Sequence, residues 1–134
     1  MSPEAPVGQT TAEFALILPL FLLLMLGVVQ MVIIGGAALA VNQAAISCAR
    51  YASLNPSAPP AAVASYLGTT VSPLINDSGL QPLSLSPAGV PRTTGSAVTV
   101  TVTYKLQNKL FLGSHFFGIS FPAQVSVTQT MPSE

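Results

Sequence analysis

The sequence predicts an α+β protein: one long N-terminal transmembrane helix runs into a small domain that holds a short helix and an antiparallel sheet of about three strands. Three observations carry this. From Phe14 to Val32 the residues are apolar except Pro19, Gly27 and Gln30, and roughly 20 such residues are what a helix needs to cross a bilayer. The helical pattern then continues to Leu54, where Asn55-Pro56 and Pro59-Pro60 end it. Beyond that, the Val/Thr alternation of residues 97–106 is a strand pattern with a period of two, and it recurs over residues 124–131.

In chain order, residues 1–8 form a short leader containing Pro3 and Pro6 and showing no periodicity. Residues 9–54 form the long helix, with Thr10 or Thr11 available to cap its first turn and Glu13 near its positive end. The transmembrane part is expected at about 14–34 and a projecting stem at 35–54. At 1.5 Å per residue the whole helix measures about 65 to 70 Å, more than a bilayer needs. Pro19 removes one backbone donor inside the span and predicts a kink there. On the stem, Val41, Ala45, Cys48 and Ala52 share one face, and Gln43, Ser47 and Arg50 lie on another. A stripe of such small residues lets the rest of the chain fold back onto residues 41–54.

Residues 55–134 are the small domain. Residues 57–67 read as a short helix with prolines in its first turn and Gly68 as a left-handed cap. Turn formers crowd 76–82 and 87–95, which leaves 83–86 as a short strand. Residues 97–106 place Val98, Val100, Val102 and Tyr104 on one face and Thr99, Thr101 and Thr103 on the other. Residues 108–122 are aromatic-rich and too long for a tight hairpin. The Val/Tyr face of the sheet is expected on the helical stem.

Charged residues make up 6% of the chain, and its four scattered cations are no nucleic-acid footprint. Cys48 is the single cysteine, so no intrachain disulfide can staple the domain; it reads as a small apolar stripe residue. His115 lies among aromatics with no second histidine, which argues for a loop histidine and against a metal site. No serine stands in a nucleophile motif that could enlist His115 and Asp77. We therefore expect no catalytic residue, no metal and no cofactor. Leu110, Phe111, Phe116, Phe117 and Phe121 are either core plugs or a patch for a partner.

The most specific signal is Gly8-Gln9-Thr10-Thr11-Ala12-Glu13-Phe14-Ala15 running into LILPLFLLLMLG. This stretch resembles the N-terminus of the TadE-like proteins, minor pilins or pseudopilins of the Tad (Flp-type) pilus, whose start is like that of class III prepilins. The resemblance implies a pilin-like fold and no enzymatic activity. It also implies cleavage by a prepilin peptidase between Gly8 and Gln9, with Glu13 as fifth residue of the mature chain. Ala49-Arg50-Tyr51-Ala52 and the late Val125-Ser126-Val127-Thr128 strand fit the family's general layout. The leader departs from the family's pattern in carrying no basic residue.

Physical chemistry gives the pattern a reason. A glycine before a flexible polar tetrapeptide offers a peptidase an accessible bond. Glu13 at the edge of an apolar helix is costly by a few kcal/mol toward the bilayer centre unless it meets a cation, and the freed amino group of its own or a neighbouring subunit is one. Gly36, Ala40 and Ala44 recur every four residues as a candidate helix–helix seam, against the alternative that they pack under the chain's own sheet.

The resemblance implies as partners a prepilin peptidase, other pilin or pseudopilin subunits, the inner-membrane pilus assembly machinery and membrane lipid, with no nucleic acid. It places the chain in the bacterial cytoplasmic (inner) membrane as a single-pass protein and, once assembled, in a pilus. The leader lacks the Lys and Arg that would set orientation; a Thr-, Ser- and Pro-rich domain with few charges suits the outside. Two alternatives stay open: a plain signal-anchored envelope binding domain, and a secreted domain released by signal peptidase after Ala40. The second is disfavoured because its apolar run exceeds a 7- to 15-residue signal core.

Overall fold

The computed structural model describes residues 7–75, 78–106, 109–110, 115–116 and 118–134, with backbone alone for 7–9 and 115–116. Its first element, α1 (Val7–Leu54), is one unbroken helix of 48 residues with Pro19 inside. It starts two residues before the expected Gln9, so Gly8 and Gln9 both lie in its first turn.

The helix has two environments. Residues 10–29 are exposed except for the half-buried Leu23 and Gly27, and from Phe14 onward this part is apolar around its whole circumference. At Gln30, 0% exposed, burial begins. From there Ala37, Val41, Ala45, Cys48 and Ala52 form a buried stripe at helical spacing, flanked by Ala40, Ala44 and Ala49. The domain thus takes hold of α1 about one turn before residue 35, where hydropathy draws the boundary. Ile33 and Ile34 read as span by composition but are already half-buried, Ile34 against the core.

A turn at 55–57 leads into α2 (Pro60–Thr70), with Pro59 as its N-cap and Pro60 in the first turn. The expected cap at Gly68 is corrected. Gly68 sits inside the helix, and Val71, in extended conformation, ends it by donating its N–H to Leu67 O at 2.9 Å. Val63 and Leu67 turn inward, and Tyr66 stacks on Tyr51 of α1 with ring centroids 4.4 Å apart and planes 11° from parallel.

The sheet has the order β1-β2-β5, all antiparallel, with β1 Ser84–Ser86, β2 Ala97–Lys105 and β5 Gln124–Pro132. The β2–β5 register sets Val98 opposite Met131, Val102 opposite Val127 and Tyr104 opposite Val125. The inner face is the expected one: Val98, Val100, Val102 and Tyr104 are completely buried against α1, and each such side chain stabilises by about 1.5–3 kcal/mol. Gln129 also faces inward and donates to Asn42 Oδ1 at 3.1 Å, a polar tie between β5 and the stem. On the outer face, hydroxyls pair across the strands: Thr99 with Thr130 (3.0 Å), Thr101 with Thr128 (2.9 Å) and Thr103 with Ser126 (3.0 Å).

The β2–β5 connection, expected to be too long for a tight hairpin, contains a small ladder of β3 (His115–Phe116) and β4 (Ile119–Ser120). Gly118 at φ +75° makes its turn, a conformation that residues with a Cβ rarely adopt. The sequence signal was hidden because the strands are two residues each, too short for any periodicity. At the other end, the chain terminus closes onto the helix: Glu134 N–H donates to Ser53 O at 3.0 Å, and Ser133 N–H to Ser96 O at 2.8 Å.

Candidate functional site

Gly8, Gln9 and Glu13 share the N-terminal two turns of α1. The Gly8–Gln9 bond lies in the first turn, whose N–H groups have no intrahelical acceptor, so this is where the helix frays most readily. Gln9 and Glu13 are four residues apart and therefore on one face. Above them, Phe14, Leu16, Leu20 and Leu24 are among the most exposed large apolar side chains of the molecule. Pro19 interrupts the donor ladder within this stretch, leaving Ala15 O without its i+4 amide.

The candidate seam is divided by the fold. Ala40 and Ala44 are buried in the core cluster beneath the chain's own sheet, whereas Gly36 is half-buried at its lower margin. A Cβ built on Gly27, Gly35 or Gly36 would meet nothing within 4 Å, so packing within this chain does not require glycine at these three positions.

Cys48 is 0% exposed, and burial pushes its thiol up from 9.0 to about 11. Burial disfavours the thiolate, so the folded state holds the proton more tightly than the unfolded chain. That contribution to stability is fully present below pH 9 and is lost as the pH rises through about 11. We expect Cys48→Ala to flatten part of the alkaline loss of stability between those two values; an unchanged pH profile in thermal melts would contradict this. In the native protein the thiol should also resist alkylating reagents.

Arg92 is a functional residue of the fold that sequence reading missed. It is 5% exposed, and its guanidinium donates from Nη2 to Ala58 O (2.9 Å) and from Nη1 to Asn55 O (3.3 Å) and Ala52 O (3.4 Å). Its Nε donates to Pro87 O at 3.4 Å, and its backbone N–H to Pro56 O at 3.0 Å. The side chain places a cation at the negative end of α1 and satisfies Ala52 O, one of the carbonyls that the ending helix orphans. It lies in SPAGVPRTTG, which has no periodicity; the only available signal was an arginine in a domain with few charges.

Among the described residues no three His, Cys, Asp or Glu side chains gather into a metal-holding group. Asp77, Phe111 and Phe117 lie outside the described residues, as do the side chains of His115 and Phe116. Of the remaining aromatic-loop candidates, Phe121 is 9% exposed and Leu110 is half-buried against the core.

A largely exposed apolar rod, continuous with a helix on which a small sheet is folded, defines a membrane-anchored α+β protein of pilin-like build. Residues 8–50 match the sequence model of the TadE-like protein family, which bears out the resemblance. The match runs past Gly27, through the exposed rod and into the buried stripe, and stops at Arg50; it reaches Ala49-Arg50 but neither Tyr51-Ala52 nor the Val125–Thr128 strand. No curated protein and no solved structure matches the chain.

Proposed function

We propose that this chain is a minor pilin or pseudopilin of a Tad-type pilus or secretion assembly. A prepilin peptidase cuts it between Gly8 and Gln9, and it then assembles with other pilin-like subunits through the exposed part of α1. The carrying observation is that the family match at 8–50 lies within one helix that is largely bare from Thr10 to Val29 and carries a buried stripe from Ala37 onward. Bare apolar surface on that scale is stable only in lipid or against neighbouring helices. Before cutting, the bilayer of the bacterial inner membrane holds the rod, with the domain outside; afterwards the assembly machinery passes it to other subunits.

Cutting changes the electrostatics at the helix entrance. In the uncut chain Glu13 is the seventh residue of α1 (Val7–Leu54). Removing residues 1–8 puts a positive amino group on Gln9, one turn below Glu13 and on its face. Glu13 can then pair with that amino group or with a neighbour's, which would set register between subunits. Pro19 supplies a bend point within the rod. Of the seam positions, Gly36 and the adjoining Gly35 are where a second helix can approach, since Ala40 and Ala44 are already covered.

Release after Ala40 is the weaker reading on structural grounds. It would sever α1 within the core, removing Gln30, Ala37 and Ala40 from their buried places. The N-terminus of the mature protein decides among the readings. Mass spectrometry should find a chain beginning at Gln9, and Gly8→Leu should leave all of it uncut. A start near Val41 identifies a secreted domain, and intact residues 1–8 in the unaltered protein identify a plain anchor.

A further inference from the structure

The β3–β4 hairpin does not stay level with the rest of the domain. Ile119, 55% exposed, and Phe121 line one wall of a groove whose other wall is the Leu20, Leu24, Val28 and Met31 face of α1. Among the described residues every lining side chain is apolar. The groove therefore extends below Gln30, where burial by the domain begins, along helix that the bilayer must cover.

Lengths settle the level. Between Glu13 and Gln30 lie about 16 residues, or ~24 Å of helix, already short of the ~30 Å thickness of a hydrocarbon core. Lowering the membrane boundary until the groove stood in water would leave only residues 14–19 below it, about 9 Å of helix. The segment 119–121 thus lies within the leaflet on the domain's side, and the groove opens onto acyl chains that already surround the rod.

We propose that the β3–β4 hairpin is a second membrane-contact element: Ile119 inserts into that leaflet, and the groove between Phe121 and α1 holds a lipid acyl chain. The inference rests on the anchored reading and goes beyond it. The domain is then fixed in tilt and rotation on the membrane surface as well as tethered to it, since one helix alone leaves rotation about its axis free. Docking to a depth of about 5–10 Å is the range in which apolar side chains bind the interface.

The chain contains no tryptophan, so single introduced tryptophans can report depth in the full-length protein. Ile119→Trp, Leu18→Trp in the rod and Ala88→Trp in the loop near Arg92 would each be reconstituted in phosphatidylcholine–phosphatidylglycerol vesicles with mid-chain brominated lipid. Leu18→Trp and Ile119→Trp should each lose about half of their emission or more, and Ala88→Trp almost none. Quenching of Leu18→Trp with Ile119→Trp as bright as Ala88→Trp overturns the hairpin assignment and leaves the anchor intact. Absence of quenching at Leu18→Trp removes the anchor and this inference together. Quenching of Ile119→Trp that fades as the protein-to-lipid ratio rises would assign the groove to a second copy, against the lipid.

Discussion

Arg92→Ala is expected to loosen the domain by about 3 kcal/mol, a change of roughly a hundredfold or more in the opening equilibrium. The estimate follows from what the variant leaves behind. The carbonyl of Ala52 loses a charged donor in a buried place and those of Asn55 and Ala58 lose one in part-buried surroundings, and hydrogen bonds to charged groups contribute about 1.5–3 kcal/mol each when counted singly, with no simple additivity. The negative end of α1 loses its cation as well. Arg92→Lys keeps the charge but not the planar fork, so an intermediate loss is expected. Buried Cys48 supplies the measurement, because its rate of alkylation reports how often the domain opens. An unaltered rate in Arg92→Ala would show that the guanidinium contributes little to closing the domain.

Glu13→Ala is expected to leave cleavage after Gly8 intact while lowering recovery of assembled subunits on the order of a hundredfold, following a loss of about 2–3 kcal/mol at each subunit contact. This prediction rests on the proposed pairing with a freed amino group. Glu13→Gln, which keeps the size and hydrogen-bonding capacity but loses the charge, should behave like Glu13→Ala. Crosslinking in cells between positions along residues 14–29 gives the readout. Wild-type crosslinking by both variants would remove charge pairing from the account, and a loss confined to Glu13→Ala would make it a hydrogen-bonding role.

What was legible in the sequence is what periodicity and long range express. The 48-residue helix and the alternating face from Val98 to Tyr104 each repeat a pattern often enough to overcome local noise, and the short strand at Leu85 was bounded by the turn formers on either side of it. The stripe from Val41 to Ala52 gave even the packing partner, because small residues on one helix face are useful only to something that comes close. Gly68 misled because a glycine after an apolar helical run suits a cap, yet the hydrogen-bonded turn continued through Thr70 to Val71. Arg92 and the β3–β4 ladder were illegible for a shared reason: each depends on where a loop lands, Arg92 on carbonyls 34 to 40 residues away in sequence. Gln30 was read only as a polar interruption, and it turned out to mark where the domain begins to cover the rod.

The hydroxyl ladder on the outer face of the sheet has a consequence for any surface that comes to lie on it. A hydroxyl dehydrated without a partner costs about 1–3 kcal/mol, and an isolated charge far more. Here Thr99, Thr101 and Thr103 each already share one hydrogen bond with Thr130, Thr128 and Ser126. Part of their need for water is met before a neighbour arrives, and the threonine methyl groups remain available for contact. The face is hydrophilic enough to stand in solvent as a lone subunit and inexpensive to dry, so one surface can serve the chain in both conditions without a change of conformation.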